Sequence, residues 1–142
     1  ERCPGWDDTK TAIFYGLNNN HDIYDMYYAV LEGVLFNLKQ CYDITIPIVG
    51  QPPKLISISG GIEKSPFWLS MAATIFGLPV YTGDLSHASL LGAALMGLKA
   101  QGELASVKEI EPVLDKKWDP DFSKQDYYQQ RYVRYLQYYD KS

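Results

Sequence analysis

The chain has 142 residues, 46% hydrophobic and 14% aromatic, which is enough apolar material for the core of one domain and too little for two. Charged residues make up 21% with both signs interspersed, and the formal charge of -4 argues against a nucleic-acid phosphate backbone as partner. No apolar run approaches the ~18 residues of a membrane helix and no secretory signal pattern stands at the start, so the expectation is a soluble, cytoplasmic protein with no membrane partner and with Cys3 and Cys41 reduced.

In chain order, residues 11–17 form a short apolar and aromatic run closed by Asn18-Asn19-Asn20, which predicts a strand. From Asp22 the apolar residues Ile23, Met26, Tyr27, Val30, Leu31, Val34, Leu35 and Leu38 recur at three- and four-residue steps. That period predicts a helix to about Cys41. Residues 46–53 carry three prolines and a glycine and read as a loop, and residues 55–59 after them read as a strand stopped by Gly60-Gly61. Ser65-Pro66 places an N-cap beside a first-turn proline, and Phe67, Met71, Ile75 and Phe76 carry a helix to Gly77. A strand over 79–82 follows.

Residues 86–100 predict a helix rich in small side chains: Ala88, Gly92, Ala93, Ala94 and Gly97. Each interior glycine costs roughly 1 kcal/mol relative to alanine, so close packing against a sheet or a ligand is expected there. Beyond Gly102 an acidic, poorly periodic connector leads to a turn at Trp118-Asp119-Pro120-Asp121 and a tyrosine-rich helix from about Ser123. Alternating strands and helices indicate an α/β domain with parallel strands and covering helices.

Among candidate sites, Gly60-Gly61 stands at the C-terminal end of a strand and just before a helix start. Ligands of open α/β sheets sit there, where glycines admit a close approach and helix N-termini offer free N–H groups. An ordinary strand-to-helix turn has the same appearance. It is not a P-loop, because Glu63 stands where that motif needs glycine before Lys64-Ser65, and the G-x-G-x-x-G fingerprint is absent. His21 and His87 have no second ligand at short spacing and read as solvated, so no metal-binding residue is assigned. Tyr128, Tyr132, Tyr135 and Tyr139 recur at three- and four-residue steps, which suits a packing stripe better than base stacking.

Four blocks of the sequence resemble one family. Ala12-Ile13-Phe14-Tyr15-Gly16-Leu17, followed at fixed spacing by Asp25-Met26 and Ala29-Val30-Leu31-Glu32, is similar to a signature of the FGGY carbohydrate kinases. Glu1-Arg2-Cys3-Pro4-Gly5-Trp6-Asp7 resembles the segment that enters this region, without its leading glycine. Ser59-Gly60-Gly61-Ile62-Glu63-Lys64-Ser65-Pro66-Phe67-Trp68 resembles the family's adenosine-binding turn, and Ala88-Ser89-Leu90-Leu91-Gly92-Ala93-Ala94 its last helix.

The resemblance implies part of a ribonuclease-H-like C-terminal domain of the actin and hexokinase superfamily, in which residues 1–102 form the nucleotide-binding α/β part and 103–142 a connector and C-terminal helix. It implies transfer of the ATP γ-phosphoryl group, with Mg2+, to a sugar or sugar-acid hydroxyl, with a gluconokinase or xylulokinase as the nearest kind. Carried over by position, Gly61 and Ser65 contact the nucleotide, and Gly60 completes the turn. Lys64 reads as an exposed helix-start lysine.

The family's catalytic aspartate and first phosphate loop precede the Glu1-Arg2 block, and neither Asp7, Asp8 nor Asp84 matches the base position. No catalytic residue is therefore assigned, Mg2+ and the sugar are expected to be held largely by a preceding N-terminal part, and the chain alone is expected to be inactive. Two strands that belong between residues 12–17 and 55–59 are expected to be missing. A stand-alone nucleotide-binding or regulatory module remains an alternative, and a homodimer is open as an assembly under either reading. An actin-like ATPase or acetate-type kinase fits less well, since those lack the first two blocks.

Overall fold

The computed structural model describes residues 4–83, 88–110 and 113–139. Helix α1 (Ile23–Val49) starts on a reciprocal cap: the Asp22 carboxylate accepts from the amides of Tyr24 and Asp25, and Asp25 accepts from the Asp22 amide. Strand β1 (Ile56–Ser57) leads through a 3-10 turn (Gly61–Lys64) into helix α2 (Pro66–Phe76). Strand β2 (Val80–Thr82), helix α3 (Ala88–Ala100), strand β3 (Lys116–Trp118) and helix α4 (Gln125–Tyr139) follow.

The sheet order is β1-β2-β3. β1 and β2 are parallel, with Ile56 opposite Val80, and α2 makes the crossover between them. β3 is antiparallel to β2, with Trp118 opposite Val80, so the sheet is mixed and not purely parallel as expected. This strand falls in the stretch read as a connector. Two of its three residues are lysines, and a polar edge strand shows no alternation that sequence could reveal.

α2 is the centre of the core. Leu69, Met71, Ala72, Ala73 and Ile75 are buried against Leu35 and Phe36 of α1, Val80 of β2, and Tyr128 and Tyr132 of α4. The Tyr stripe is thus a packing stripe, with Phe36 tilted against the rings of Tyr132 and Tyr135. Thr74 ties the turn before α4 to α2, its hydroxyl accepting from the Asp121 amide at 3.1 Å.

α1 and α4 are joined by polar contacts at their interface. Glu32, only 3% exposed, receives two hydrogen bonds from Arg131, at 2.6 Å from Nε and 2.5 Å from Nη2. That bond holds the Arg131 guanidinium in its charged form. Tyr28 and Tyr128 share a hydroxyl–hydroxyl hydrogen bond of 2.7 Å, and the Tyr132 hydroxyl donates to Asp43 at 2.8 Å. Burial and then these bonds push both α4 phenols well above their usual range.

Three expectations are corrected. Residues 11–15 and Leu17 belong to no strand and residues 11–17 are all exposed, because a strand needs a neighbour and none of the described residues pairs with them. α1 does not end near Cys41 but continues through Pro47 to Val49, closing on Gly50, whose amide donates to the Ile46 carbonyl at 2.9 Å. Pro47 lies in the last turn, where one missing N–H costs a single bond and little of the helix follows it.

Gly92 and Gly97 of α3 are not packed against the sheet: a Cβ at either would meet nothing within 4 Å. α3 instead rests on a 3-10 turn (Val107–Glu109), and Leu90, Leu91, Met96 and Leu98 are exposed. α1 likewise carries a second apolar stripe, Ile23, Tyr27, Val30, Val34 and Leu38, left exposed while Leu31, Leu35 and Phe36 are buried.

Candidate functional site

The Gly60-Gly61 turn is exposed at the C-terminal end of β1. The parallel ladder runs one residue past the strand, the Ile58 amide donating to the Tyr81 carbonyl at 2.9 Å, and the chain then leaves the sheet. Gly60 adopts φ 98° and ψ -156°, a region essentially reserved for glycine. Ile62 is half-buried against the core and anchors the turn from below. Glu63 closes it: its carboxylate accepts from the Gly60 amide at 2.6 Å, while its own amide donates to the Gly60 carbonyl at 3.1 Å.

Gly61 has no positive φ, and a Cβ there would meet nothing within 4 Å. The space over Gly61 is therefore open. Ser65 is the N-cap of α2, its hydroxyl oxygen accepting from the Trp68 amide at 3.3 Å, with Pro66 in the first turn as expected. That contact uses Ser65 as an acceptor and leaves its O–H to donate to a ligand. Lys64 is exposed beside Glu63, so the turn carries no concentrated positive charge.

Gly60, Gly61 and Ser65 thus share one turn and the first turn of a helix, as their spacing implies. The start of the 86–100 helix, including Ser86 and His87, together with Asp84, lies outside the described residues, as do Glu1, Arg2 and Cys3. Asp7 is tied locally: the Thr9 hydroxyl and then its amide hold the Asp7 carboxyl below its usual range. Among the described residues no three His, Cys, Asp or Glu side chains converge as a metal site, and no helix is long and apolar enough to cross a membrane.

Two features were not assigned from sequence. Glu63 serves in the sequence only to exclude a P-loop, and Gly60, three places before it, lacks the side chain that marks a capping box, so its bond to the Gly60 amide has no sequence signature. The Glu32–Arg131 pair spans 99 residues and has no local signal at all.

The two glycines of the turn differ in what they tolerate. Gly60→Ala lowers stability by about 1–3 kcal/mol through backbone strain, whereas Gly61→Ala leaves it unchanged within about 0.5 kcal/mol. Thermal-denaturation midpoints of the two variants test this, and equal midpoints contradict the assignment of strain to Gly60.

Comparison with known proteins identifies a family. The model of the "FGGY family of carbohydrate kinases, C-terminal domain" matches residues 1–101. A gluconokinase of Bacillus licheniformis is 32% identical over 114 residues, covering 80% of this chain and 22% of that protein. A probable L-xylulose kinase of Pasteurella multocida is 32% identical over 126 residues, covering 89% of this chain and 26% of that protein. The crystal structure of ligand-bound xylulose kinase from Lactobacillus acidophilus superposes with a TM-score of 0.85 at 29% identity, over 99% of this chain and 29% of that one. The chain therefore spans about a quarter of the length of these relatives. With the family model matching residues 1–101 and relatives 32% identical over 80% and 89% of the chain, the chain belongs to the FGGY family of carbohydrate kinases, as part of the C-terminal domain.

Proposed function

We propose that the chain is the nucleotide-holding C-terminal part of a kinase that transfers the γ-phosphoryl group of ATP to a hydroxyl of a sugar or sugar acid. The observation that carries this is the open turn Gly60-Gly61 beside the Ser65 cap, at the end of a parallel strand and the start of α2. Backbone is accessible at Gly61, a hydroxyl donor stands at Ser65, and adjacent Glu63 and Lys64 cancel in charge. This surface suits the nucleoside end of ATP better than its triphosphate.

Among the described residues no three His, Cys, Asp or Glu side chains converge to hold magnesium. The catalytic base, the first phosphate loop and most sugar contacts belong to the rest of a longer kinase. The exposed apolar stripe of α1 and the exposed residues 11–17 support that division, since both are surfaces a larger fold would cover. The relatives named gluconokinase and xylulose kinase direct the acceptor to a polyhydroxylated sugar or its acid.

The direct test is activity of the 142-residue chain by itself. With ATP, magnesium and gluconate, xylulose, ribulose or glycerol, it yields no sugar phosphate above background. Product detected by a coupled ADP assay, and absent from a mock preparation, would overturn the division of labour.

A further inference from the structure

We infer that Glu63 is a positioning residue for nucleotide binding, which fixes Gly60 so that the backbone of Gly61 is presented in its binding conformation. The inference rests on the reading of this turn as the nucleotide site. Gly60 holds φ 98° without packing to enforce it, since nothing lies within 4 Å of where its Cβ would be. A glycine so exposed has more backbone freedom than any other residue. Only hydrogen bonds can restrain it.

Two such bonds cross the turn, and Glu63 supplies both, through its carboxylate at 2.6 Å and its amide at 3.1 Å. The first is charge-assisted, because an ionised carboxylate receives a backbone N–H. Among the described residues Glu63 takes part in no ion pair, so its side chain has no salt bridge to account for it. Lys64, its neighbour in sequence, is exposed and likewise forms none. Ile62 anchors the turn to the core between the two bonded residues. The turn is thus held at Gly60 by Glu63 and at Ile62 by packing, leaving Gly61 ordered with open space above it.

Ordering a flexible loop on binding lowers affinity, and a loop ordered beforehand avoids that loss. Glu63 therefore acts on nucleotide affinity through Gly60, with no contact to the reacting atoms. The test uses the complete kinase. Glu63→Ala raises the ATP KM about three- to tenfold with kcat and the sugar KM unchanged, and Glu63→Gln, whose amide oxygen still accepts from Gly60, restores the ATP KM to within about twofold.

An unchanged ATP KM in Glu63→Ala would overturn the inference. So would a Glu63→Gln variant as impaired as Glu63→Ala at an equal denaturation midpoint, since the acceptor would then be irrelevant. Gly61→Val, measured alongside, separates the two ideas. If it raises the ATP KM while Glu63→Ala does not, the site stands and the role of Glu63 falls. If Gly61→Val has no effect, the site itself is wrong and the inference falls with it.

Discussion

Gly61→Val in the complete kinase raises the ATP KM about tenfold or more and leaves the sugar KM within about twofold. The selectivity follows from the open space above Gly61. A Cβ there has no protein atom within 4 Å, so the fold has room for it, and the branches of a valine extend into the volume into which a nucleoside would settle. A tenfold loss corresponds to about 1.4 kcal/mol, a small demand for a steric block at a backbone contact. Steady-state kinetics with each substrate varied in turn checks it. Equal changes in both KM values would indicate a general defect, and no change would remove Gly61 from the nucleotide site.

The largest effect on stability is expected at the contact between α1 and α4. Arg131→Ala leaves the Glu32 carboxylate buried without its two charge-assisted hydrogen bonds and lowers stability by about 3 kcal/mol. The value lies at the lower end for a broken buried pair because the Arg131 side chain is 36% exposed, and solvent shares its charge. Replacing both partners, Glu32→Leu with Arg131→Leu, recovers most of the loss, since no charge is then stranded. Urea denaturation of the single and double variants measures this. A single variant as stable as the parent would show that Glu32 finds water or another partner.

The elements whose signals are local were legible in the sequence. Ser65-Pro66 and Gly77 bracket α2, and the observed helix runs between them, with Gly77 capping it at φ 65°. The Asp22 cap and the three- and four-residue period show where α1 begins, but its end was misjudged because Pro47 looks like a terminator and acts only in the final turn. β3 was invisible because its identity comes from pairing with β2, and not from any pattern in Lys116-Lys117-Trp118. The opposite failure occurred at residues 11–17, where the pattern of a strand is present and the neighbours that would make it one are not. At the site, Gly60, Gly61 and Ser65 could be located by resemblance, while the conformation of Gly60 and the bond from Glu63 depend on coordinates in space.

Trp68 gives the glycine turn a mechanical reach beyond its own neighbourhood. Its indole N–H donates to the carbonyl of Leu31 at 3.0 Å, joining the first turn of α2 to the interior of α1. α1 has 27 residues and is about 40 Å long at 1.5 Å per residue, so the joint divides it into unequal arms. The arm toward Val49 is about 27 Å. The longer arm is tied again at Asp43, which accepts from the Tyr132 hydroxyl at 2.8 Å, and Tyr42 meets Phe76 edge-on, so α1 braces the helix that begins at the glycine turn at more than one point along its length.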